Sequence, residues 1–561
     1  MESQSVVLHD WTTLSQTLDW KLGKLAYHTR GTRLFVNNEV PNLIHQGGLV
    51  PYQAAEVLYV SCKQAFIAGT LGIQIGVLEL GMGMGLFAVQ VLDRFQEMCE
   101  REGVDWYDRL VWYATDATPK VLTDVHKDKV FERHESKVIM GQAAAHNPGH
   151  IQVADGEVIE VANLRAVFHS YVLCMLPMNL FRIHGDRCEV MMARTVLAVP
   201  EYLRQYTHRS VEEIVEIVKR GDPTQLIELV QLHPLFDLEL ALVPASDDSD
   251  LDAARGVAEI LAEETQTSDP VWVLDSSGAA KMLREAMLLL KHDGFMLYRD
   301  YGPASAAAAN QELIYQHYGT TIAAHVNHFA LDKLFDSSMV SGARQNQHDD
   351  PLSDSALQTR FVSRAAVPVV RGTFDRAYGD EQSQVLQAAV AKARRSDATD
   401  CVRFYQEAVD VEAGNWSLLT EAAQAIFRLT ADPSATFDFL RRSLAINPWY
   451  QATAWDLLAE MFLEAGDLGQ AHAALQRSLR INPEHGRVHS SMALLHRAKG
   501  ELAQAVECAG RAAAWERDEA ARTQHRALYE DLVVTLKERR ILSKRLRKER
   551  VAGGYHAEFS F

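Results

Sequence analysis

The stretch VLELGMGMGLFAVQVLDRF, residues 77–95, decides the fold of the first part of this chain. It places Gly81, Gly83 and Gly85 at alternate positions between an apolar run and an amphipathic pattern. A buried strand that turns sharply into a helix explains the glycines, because a Cβ atom at the turn would block the close approach of a ligand. The stretch therefore predicts a binding site between a strand and a helix.

Length and composition describe a globular protein of several domains. The chain has 561 residues, of which 47% are hydrophobic and 23% are charged, and this length is typical of two to four domains. The formal net charge of -18 argues against nucleic acid or a membrane surface as a general partner.

The cysteines, the histidines and the N-terminus give no sign of a metal site or of export. Six cysteines are scattered without a C-x-x-C pair, and His317, His325 and His328 form no recognisable metal set. The sequence MESQSVVLHDWTTLSQ lacks the pattern of a signal or transit peptide. No window approaches the run of about 20 apolar residues that a membrane-spanning helix needs. We therefore expect a cytoplasmic protein with no metal ion.

Apolar runs alternate with helical patterns between about residues 50 and 340, which is typical of an α/β fold with a largely parallel sheet. We predict strands at 76–80, 110–115, 137–141, 166–172 and 295–300. The run VWVLDSSG at 271–278 is a second candidate for the fourth of these strands.

Shifts in composition give the boundaries of the predicted domains. We predict an N-terminal helical segment over 1–50, an α/β domain over 51–340 with a helical insertion at about 195–270, and a linker over 341–400. Two interpretations of the insertion stay open, because such a segment either covers a substrate site or only packs on the domain.

After residue 400 the pattern becomes entirely helical and repeats. Gly466 recurs as Gly500, and Ala471 recurs as Ala505, both at an interval of 34 residues. This is the period of the tetratricopeptide repeat, in which Pro ends the second helix, as Pro448 and Pro483 do here. A third, weaker unit lies at 415–440. We predict an all-α tetratricopeptide-repeat solenoid over 401–535 and a basic C-terminal helix and tail over 536–561.

The spacing of the three glycines separates several classes of nucleotide site. A dinucleotide site has the pattern G-x-G-x-x-G, whereas Leu86 occupies the position of the third glycine here. No Gly-Lys-Ser/Thr follows, so the pattern is not that of a P-loop. The stretch instead resembles motif I, E/D-x-G-x-G-x-G, of class I S-adenosylmethionine (SAM) methyltransferases. The resemblance implies that Glu79, Gly81, Gly83 and Gly85 lie beside the methionine part of this cofactor.

The ends of the next two predicted strands supply two further candidate cofactor residues. In these methyltransferases an acidic residue after the second strand binds the ribose hydroxyls, and VWYATDATP carries Asp116 there. Each carboxylate oxygen can accept one hydroxyl proton, although Asp116 is equally suited to cap the following helix. KVIMGQAA places Gln142 where family members often carry an acid near the adenine, and an amide can also bond an adenine edge.

Further segments resemble the MidA family of SAM-dependent methyltransferases. AVFHSYVLCMLPMNLFRIHGDRCEVMMAR (166–194) is similar to that family's Asn-Glu-x-x-Asp-Ala-Leu-Pro segment and the strands after it. KHDGFMLYRDYG (291–302) is similar to its fifth strand. With YHTRGTRLFVNNEVP (27–41) and the segment 311–335, the resemblance covers roughly residues 20–340. It implies a Rossmann-like class I methyltransferase domain that uses SAM.

The family's functional positions carry different residues here. The family includes a protein-arginine methyltransferase, and alignment on the Leu-Pro pair at 176–177 places Ser170, Tyr171 and Cys174 at its Asn, Glu and Asp. The carboxylates that would hold a guanidinium group are therefore missing, which weakens the prediction of arginine as the methyl acceptor.

We predict that the acceptor binds near His169, Ser170 and Tyr171, at the carboxyl end of the fourth strand, where the sites of α/β proteins lie. His169 is either a general base or a hydrogen-bonded histidine at a strand end. Asp300 and Tyr301 either line the same crevice or only end the fifth strand.

The sequence favours a SAM-dependent methyltransferase fused to repeats that present a protein or peptide substrate. Two alternatives stay open. The missing carboxylates fit a catalytically degenerate scaffold that mediates protein contacts, and the repeats could also serve an enzyme that methylates a small molecule.

Overall fold

The computed structural model describes residues 5–37, 39–40, 47–198, 200–246, 249–312, 316–318, 321–334, 340–345, 357–430, 432–516 and 518–552. The chain divides into two compact units, one of residues 1–391 with 410–414 and one of residues 392–409 with 415–561. The first unit contains all the described strands.

The strands of the first unit fall into two larger sheets and one short hairpin. In chain order they are β1 (Val6–Thr13), β2 (Ile75–Leu80), β3 (Leu110–Asp116), β4 (Val138–Ala144), β5 (Asn147–Val153), β6 (Val158–Glu160), β7 (Leu164–Ser170), β8 (Asn179–His184), β9 (Arg187–Leu197), β10 (Phe236–Pro244), β11 (Val271–Asp275), β12 (Leu290–Tyr301), β13 (Gln316–Tyr318), β14 (Thr321–Ala323), β15 (Val340–Gln345) and β16 (Leu357–Ser363).

Helices alternate with these strands along the chain. The longer ones are Leu18–Arg30, Leu49–Ile67, Leu86–Glu102, Pro119–Lys127, Val211–Arg220, Ser249–Thr265, Ser277–Leu288, His328–Leu334, Pro368–Ala377 and Asp380–Arg394. Single turns of α-helix cover Arg33–Val36, Pro223–Leu226 and Ala306–Ala309. Stretches of 3-10 helix cover Leu14–Gln16, Glu132–His134, Leu173–Met175, Pro200–Gln205 and Ile227–Leu235.

The central sheet has nine strands in the order β15-β16-β12-β7-β2-β3-β4-β5-β6. The five middle strands, from β12 to β4, are parallel, and the edge strands are antiparallel. The chain adds β3 and β4 on one side of β2, and β7 and β12 on the other. Such a reversal of strand order opens a crevice at the carboxyl ends of the strands, and ligands bind there in doubly wound sheets.

The middle strands are buried because helices cover both faces of the sheet. In β7 every residue is buried except the last, Ser170, which is partly exposed. On one face Trp112 stacks on Phe168, with ring centroids 5.5 Å apart. On the other face Met296 packs with residues of helix Ser277–Leu288.

The five predicted strands of the parallel sheet are confirmed as β2, β3, β4, β7 and β12. The alternative fourth strand at 271–278 is wrong, because its first residues form β11, which pairs with β8 outside the central sheet. Strand β7 instead lies between β2 and β12, with parallel pairing to both.

The segment predicted as a helical insertion, 195–270, is only partly helical. Strand β10 lies within it and pairs with β9 along its whole length. Strand β9 also pairs with β8 at its start and with β1 at its end, and β11 completes this second, antiparallel sheet. The β10 sequence FDLELALVP places leucines at alternate positions, the pattern of a strand with one buried face. A purely helical insertion is therefore wrong.

The predicted N-terminal helical segment, 1–50, begins with a strand. Strand β1 pairs with β9, which lies far along the chain, so the local sequence does not show its partner. Helix Leu18–Arg30 follows as predicted, with Thr17 as its N-cap. The Thr17 hydroxyl accepts a hydrogen bond from the backbone N–H of Trp20, at 3.3 Å.

Much of the predicted linker, 341–400, belongs to the folded domain. Strands β15 and β16 extend the central sheet beyond β12, and every residue of β16 is buried. Helix Pro368–Ala377 packs on helix Leu49–Ile67. The polar stretch between the two strands, 346–356, lies outside the described residues. Its composition suggested a linker, but the flanking strands pair with each other across it.

The second unit is helical over its described residues. Its helices are Cys401–Val411 at the junction of the units, and then Trp416–Thr430, Pro433–Ile446, Ala452–Glu464, Leu468–Ile481, Gly486–Ala498, Leu502–Trp515 and Glu519–Ala552. The second to the seventh of these pack as three successive pairs. The predicted basic helix is the end of the last one, which runs without interruption across the predicted boundary at residue 536.

The residues that revealed the repeat occupy equivalent places in successive pairs. Gly466 and Gly500 end the first helix of their pairs in the left-handed conformation, with φ of 78° and 77°. Ala471 and Ala505 lie in the second helices and are fully buried. A side chain larger than alanine would separate the paired helices at these two positions.

The glycine at the turn inside a helix pair should be sensitive to alanine. Gly466→Ala should destabilise the protein by about 1 kcal/mol, because residues with a Cβ disfavour left-handed backbone by about 1–2 kcal/mol. The matched control is Gly469→Ala inside helix Leu468–Ile481, where alanine should stabilise by about 0.5–1 kcal/mol. Urea unfolding followed by circular dichroism measures both changes, and effects of the same sign would contradict this account.

Candidate functional site

The glycine turn joins β2 to helix Leu86–Glu102 at the point where the strand order reverses. Gly81, Gly83 and Gly85 all have positive φ, at 71°, 52° and 72°. Between them the N–H of Met82 donates to the carbonyl oxygen of Thr115 at 2.9 Å, which ties the turn to the end of β3. Alternate left-handed residues therefore require glycine at all three positions.

Packing adds a second reason for two of these glycines. A Cβ atom on Gly81 would lie 2.6 Å from the Val172 side chain, and one on Gly85 would lie 2.9 Å from the ring of Phe131. The turn is thus fitted closely to the segments after β7 and before β4. Gly81 and Gly83 also line a cavity, whereas Gly85 does not.

The cavity lies at the carboxyl ends of the five parallel strands and has a volume of about 610 Å³. Each of these strands contributes lining residues at or just after its end. Helix Leu18–Arg30, residues 321–325 and helix Ser277–Leu288 also contribute to the wall, as do Phe35 and Val40. A volume of this size is ordinary for a site that binds a small molecule or cofactor, about 300–1,000 Å³.

Asp116 lies at the end of β3 and joins the glycine turn to the cavity wall. One carboxylate oxygen accepts a hydrogen bond from the N–H of Gly83 at 3.3 Å, and the other accepts from the N–H of Thr118 at 2.9 Å. Thr118, and not Asp116, is the N-cap of helix Pro119–Lys127. Burial raises the pKa of Asp116 to about 6. Asp116 therefore faces the cavity as a buried carboxylate, and the capping interpretation is wrong.

Glu79 does not line the cavity, although the motif placed it with the cofactor residues. Its side chain is buried and accepts a hydrogen bond from the indole N–H of Trp112, on the neighbouring strand β3, at 3.0 Å. Burial raises the pKa of Glu79 to about 8, so the carboxyl group is mostly protonated at neutral pH. In this structure Glu79 fixes β2 to β3.

Gln142 also lies beside the cavity and not in its wall. Its amide donates to the carbonyl oxygen of Ala117 at 3.0 Å. Strand β4 continues past Gln142, and residues 143–146 line the cavity in its place. Any contact from this strand to an adenine would therefore come from residues that the motif did not single out.

The three candidate catalytic residues separate into two groups. Ser170 and Tyr171 line the cavity, but His169 lies on the other face of the strand end. The His169 ring stacks on Tyr298 with centroids 5.3 Å apart and planes at 5°. Burial lowers its pKa to about 3. His169 is therefore a neutral histidine inside the domain and not the general base that the sequence suggested.

Tyr171 has an unusual backbone at the edge of the cavity. It is a non-glycine residue with φ of 57°, and its N–H donates to the carbonyl oxygen of Arg299 at 2.9 Å. Its ring stacks on that of Tyr301, with centroids 5.5 Å apart. Left-handed backbone in such a residue costs about 1–3 kcal/mol and is concentrated at functional sites.

Asp300 and Tyr301 fulfil different roles at the end of β12. Tyr301 lines the cavity, whereas Asp300 does not. The Asp300 carboxylate is fully buried and accepts a hydrogen bond from the N–H of Cys174 at 3.1 Å. Burial raises the pKa of Asp300 to about 7. Asp300 therefore fixes the segment that follows β7, which in turn forms part of the cavity wall.

The sequence did not identify the residues on two helices that complete the cavity wall. Lys24, Tyr27 and His28 come from helix Leu18–Arg30, and Lys281 comes from helix Ser277–Leu288. The only local signal was the resemblance that began near residue 20. Which helix covers the cavity depends on contacts between distant segments, such as those of Leu18–Arg30 with β14.

His317, His325 and His328, from which the sequence predicts no metal set, are described only in part. His325 lines the cavity, His328 is buried beside Tyr298, and the side chain of His317 lies outside the described residues. Over the described ranges, no three His, Cys, Asp or Glu side chains are grouped to hold a metal ion. No described helix has both the length and the apolar character needed to cross a membrane.

Comparisons with known proteins follow the division of the chain into two units. Residues 462–528 match the family model of the tetratricopeptide repeat. No curated protein matches the chain. One similar solved structure is a methyl transferase candidate from Burkholderia thailandensis bound to S-adenosyl-homocysteine. The likeness has 12% identity and a TM-score of 0.41, over 63% of this chain and 88% of that one.

Two further structures are similar to parts of the chain. The CcbJ methyltransferase from Streptomyces caelestis has 10% identity and a TM-score of 0.25, over 62% of this chain and 98% of its own. MamA from Desulfovibrio magneticus RS-1 has 16% identity and a TM-score of 0.25, over 30% and 93%. The strand order and the repeat match confirm the predicted fold class in outline: an α/β domain with a doubly wound, largely parallel central sheet precedes helical tetratricopeptide repeats.

Glu79→Gln should change how stability depends on pH. Burial holds the pKa of Glu79 at about 8 in the folded protein, against about 4.3 in an unfolded chain. The folded state therefore keeps a proton that the unfolded state has released, and the stability due to this proton is lost as the pH rises from about 4 to about 8. Glutamine stays neutral and should remove this loss.

Thermal unfolding of the two proteins between about pH 5 and about pH 8 measures the effect. The parent protein should lose stability relative to the variant as the pH rises. A stability difference that stays constant over this range would show that Glu79 is ionised in the folded protein.

Proposed function

We propose that the first unit is a SAM-dependent methyltransferase. The observation that supports this most strongly is the joint placement of Gly81, Gly83 and Asp116 in one cavity wall, with Gly83 hydrogen-bonded to Asp116. The glycines leave room where a side chain would stand, and the carboxylate offers two acceptor oxygens to a vicinal diol. The residues that are present therefore fit the cofactor that motif I implies.

Each part of the cofactor has a candidate position in the cavity wall. Gly81 and Gly83 would accommodate the methionine part, Asp116 the ribose hydroxyls, and residues 143–146 the adenine. The N-terminus of helix Leu86–Glu102 follows the turn directly and adds the positive end of a helix dipole. When bound, SAM would supply an electrophilic methyl group for direct displacement.

The chain's own contribution to methyl transfer would be orientation of the acceptor. Ser170, Tyr171 and Tyr301 line the cavity at the ends of β7 and β12, next to the glycine turn. The stacked rings of Tyr171 and Tyr301 would offer the acceptor a flat aromatic surface. Holding two reactants in line can supply much of the rate enhancement of such a displacement.

We propose further that the substrate is a protein or peptide recruited by the repeats. Support comes from the match at 462–528 and from the three packed helix pairs, because stacked repeats form extended surfaces that bind other chains. The small-molecule and scaffold alternatives differ from this proposal in measurable ways.

Asp116→Asn should weaken the binding of S-adenosylhomocysteine by about 10–100-fold, since hydrogen bonds to charged groups contribute about 1.5–3 kcal/mol. Asp186→Asn is the matched control, because Asp186 is exposed in the turn between β8 and β9. Isothermal titration calorimetry on the full chain measures the affinities. Equal affinity of Asp116→Asn and the parent protein would refute the assignment of the cofactor site.

The same titration repeated at several pH values tests the role of the carboxylate. Burial places the pKa of Asp116 near 6 in the free protein, and only the ionised form accepts two hydroxyl protons. The affinity of the parent protein should be constant at about pH 7–8 and should fall below about pH 6, when Asp116 becomes protonated. Asp116→Asn should show no such fall, and a parallel fall in both proteins would assign the pH dependence to another group.

The class of acceptor is tested by transfer of a labelled methyl group from SAM to an extract of the source organism. Label in the acid-precipitable fraction that protease releases would support a protein substrate, with Asp116→Asn as the inactive control. Label confined to small molecules would favour the small-molecule alternative. Intact cofactor binding without any transfer would favour the scaffold.

A further inference from the structure

The wall of the cavity carries more positively charged than negatively charged side chains. Lys24 and Lys281 line it, and His325 lines it too, but burial lowers the pKa of this histidine. Asp116 is the one acidic residue among the described lining residues, and it lies at the glycine turn. This local excess of basic groups contrasts with the formal net charge of -18 for the whole chain.

The two lysines of the cavity wall have no acidic partner among the described residues. Lys281 is exposed, and Lys24 is exposed over its side chain as a whole although partial burial lowers the pKa of its ammonium group. Neither forms an ion pair or a hydrogen bond with another described residue. The nearest aromatic contact is that of the Lys24 ammonium with the Trp20 ring, 6.0 Å from its centroid. Two ammonium groups in the wall of one cavity attract anions and raise the local concentration of these anions.

Both lysines lie on the side of the cavity where the acceptor would bind. Lys281 belongs to helix Ser277–Leu288, which packs on the Leu173–Met175 turn after β7. Lys24 belongs to helix Leu18–Arg30, which packs on β14. Strand β14 is tied to the same turn, because the N–H of Ala324 just after it donates to the carbonyl oxygen of Cys174 at 2.9 Å.

Aromatic side chains line the same cavity as the two lysines. Tyr27 and Phe35 line the cavity beside helix Leu18–Arg30, and Tyr171 and Tyr301 line it at the strand ends. A ligand that fits both features has an anionic group for the ammonium groups and an aromatic or apolar body for the rings. A guanidinium or ammonium acceptor would instead meet like charges.

We propose that the methyl acceptor is a carboxylate attached to an aromatic or apolar body, held by Lys24 and Lys281. This inference rests on the proposed function of the same cavity. It names the acceptor as an oxygen and the product as a methyl ester.

The chemistry of this step needs no general base. A carboxylate oxygen attacks the methyl carbon, the O–C bond forms, the C–S bond breaks, and the sulfur keeps the electron pair. An anion and a sulfonium thus become a neutral ester and a neutral thioether, and no proton is released. His169, which lies outside the cavity wall with a lowered pKa, is not needed for this reaction.

A binding experiment on the full chain tests the proposal without knowledge of the natural substrate. Protein saturated with S-adenosylhomocysteine is titrated with 2-naphthoate and with 2-naphthamide, which have the same body and differ in charge. The carboxylate should bind about tenfold more tightly than the amide, the size expected for one charge-assisted hydrogen bond. Equal affinities, or no binding of either compound, would overturn the proposal.

The Lys24→Met/Lys281→Met variant should lose this preference while its affinity for S-adenosylhomocysteine stays the same. Arginine at both positions keeps the charge and should restore the preference. Lys63→Met is the matched control, because Lys63 is exposed on helix Leu49–Ile67 and does not line the cavity. A fall in affinity for S-adenosylhomocysteine in the methionine variant would overturn the proposal, because the lysines would then bind the cofactor carboxylate.

The two proposals fail in different ways. If the parent protein does not bind S-adenosylhomocysteine, the proposed function itself is wrong. If it binds this compound but shows no preference for the carboxylate, only the acceptor class is wrong. In the labelling experiment, mild alkali should release the transferred label as methanol, and alkali-stable label would contradict ester formation.

Discussion

The constraint on which the first unit depends is the left-handed turn between β2 and helix Leu86–Glu102. The chain must leave the middle of a parallel sheet and pass at once into a helix, and it does so with three positive φ angles at alternate residues. The turn is held by the end of β3, through the carbonyl oxygen of Thr115 and the Asp116 carboxylate. Because β3 and β7 flank β2, the position of this turn sets the positions of all the strand ends that border the cavity.

Burial decides the charge of the acidic groups near these strand ends. Desolvation raises the pKa of Asp116 to about 6, that of Asp300 to about 7 and that of Glu79 to about 8. Of the three, only Asp116 faces the cavity and is mostly ionised at neutral pH. Of the two acids that the sequence assigned to the cofactor, Asp116 is therefore a carboxylate that faces the cavity. Glu79 is a neutral carboxyl group in the core. The same effect operates in the repeats, where burial raises the pKa of Asp456 to about 7 beside Arg487.

The acidic side chain of the cavity wall and its two lysines belong to different elements, and this separation of charge matters for the proposed reaction. Asp116 lies at the turn, while Lys24 and Lys281 lie on helices above the strand ends. A cofactor with a ribose diol and an acceptor with an anionic group would then each meet the charge that suits it. The second, antiparallel sheet, whose strand β10 lies within the segment predicted as a helical insertion, belongs to the same compact unit. Its strand β1 leads through the Leu14–Gln16 turn into helix Leu18–Arg30, which carries Lys24.

The sequence by itself determined the parallel strands, the glycine turn, the place of Asp116 and the repeat. These features are local, because they depend on apolar runs, on glycines that must adopt positive φ and on a fixed period of 34 residues. The pairing of β1 with β9, the extension of the sheet by β15 and β16, and the helices above the cavity were decided only by tertiary structure. The same is true of the burial of His169 and Glu79, since the direction of a side chain at a strand end follows from register and from the neighbouring elements. Contacts between segments far apart in the chain leave no periodic signal in either segment, so the motifs identified the glycine turn and Asp116 but not the helices that complete the cavity wall.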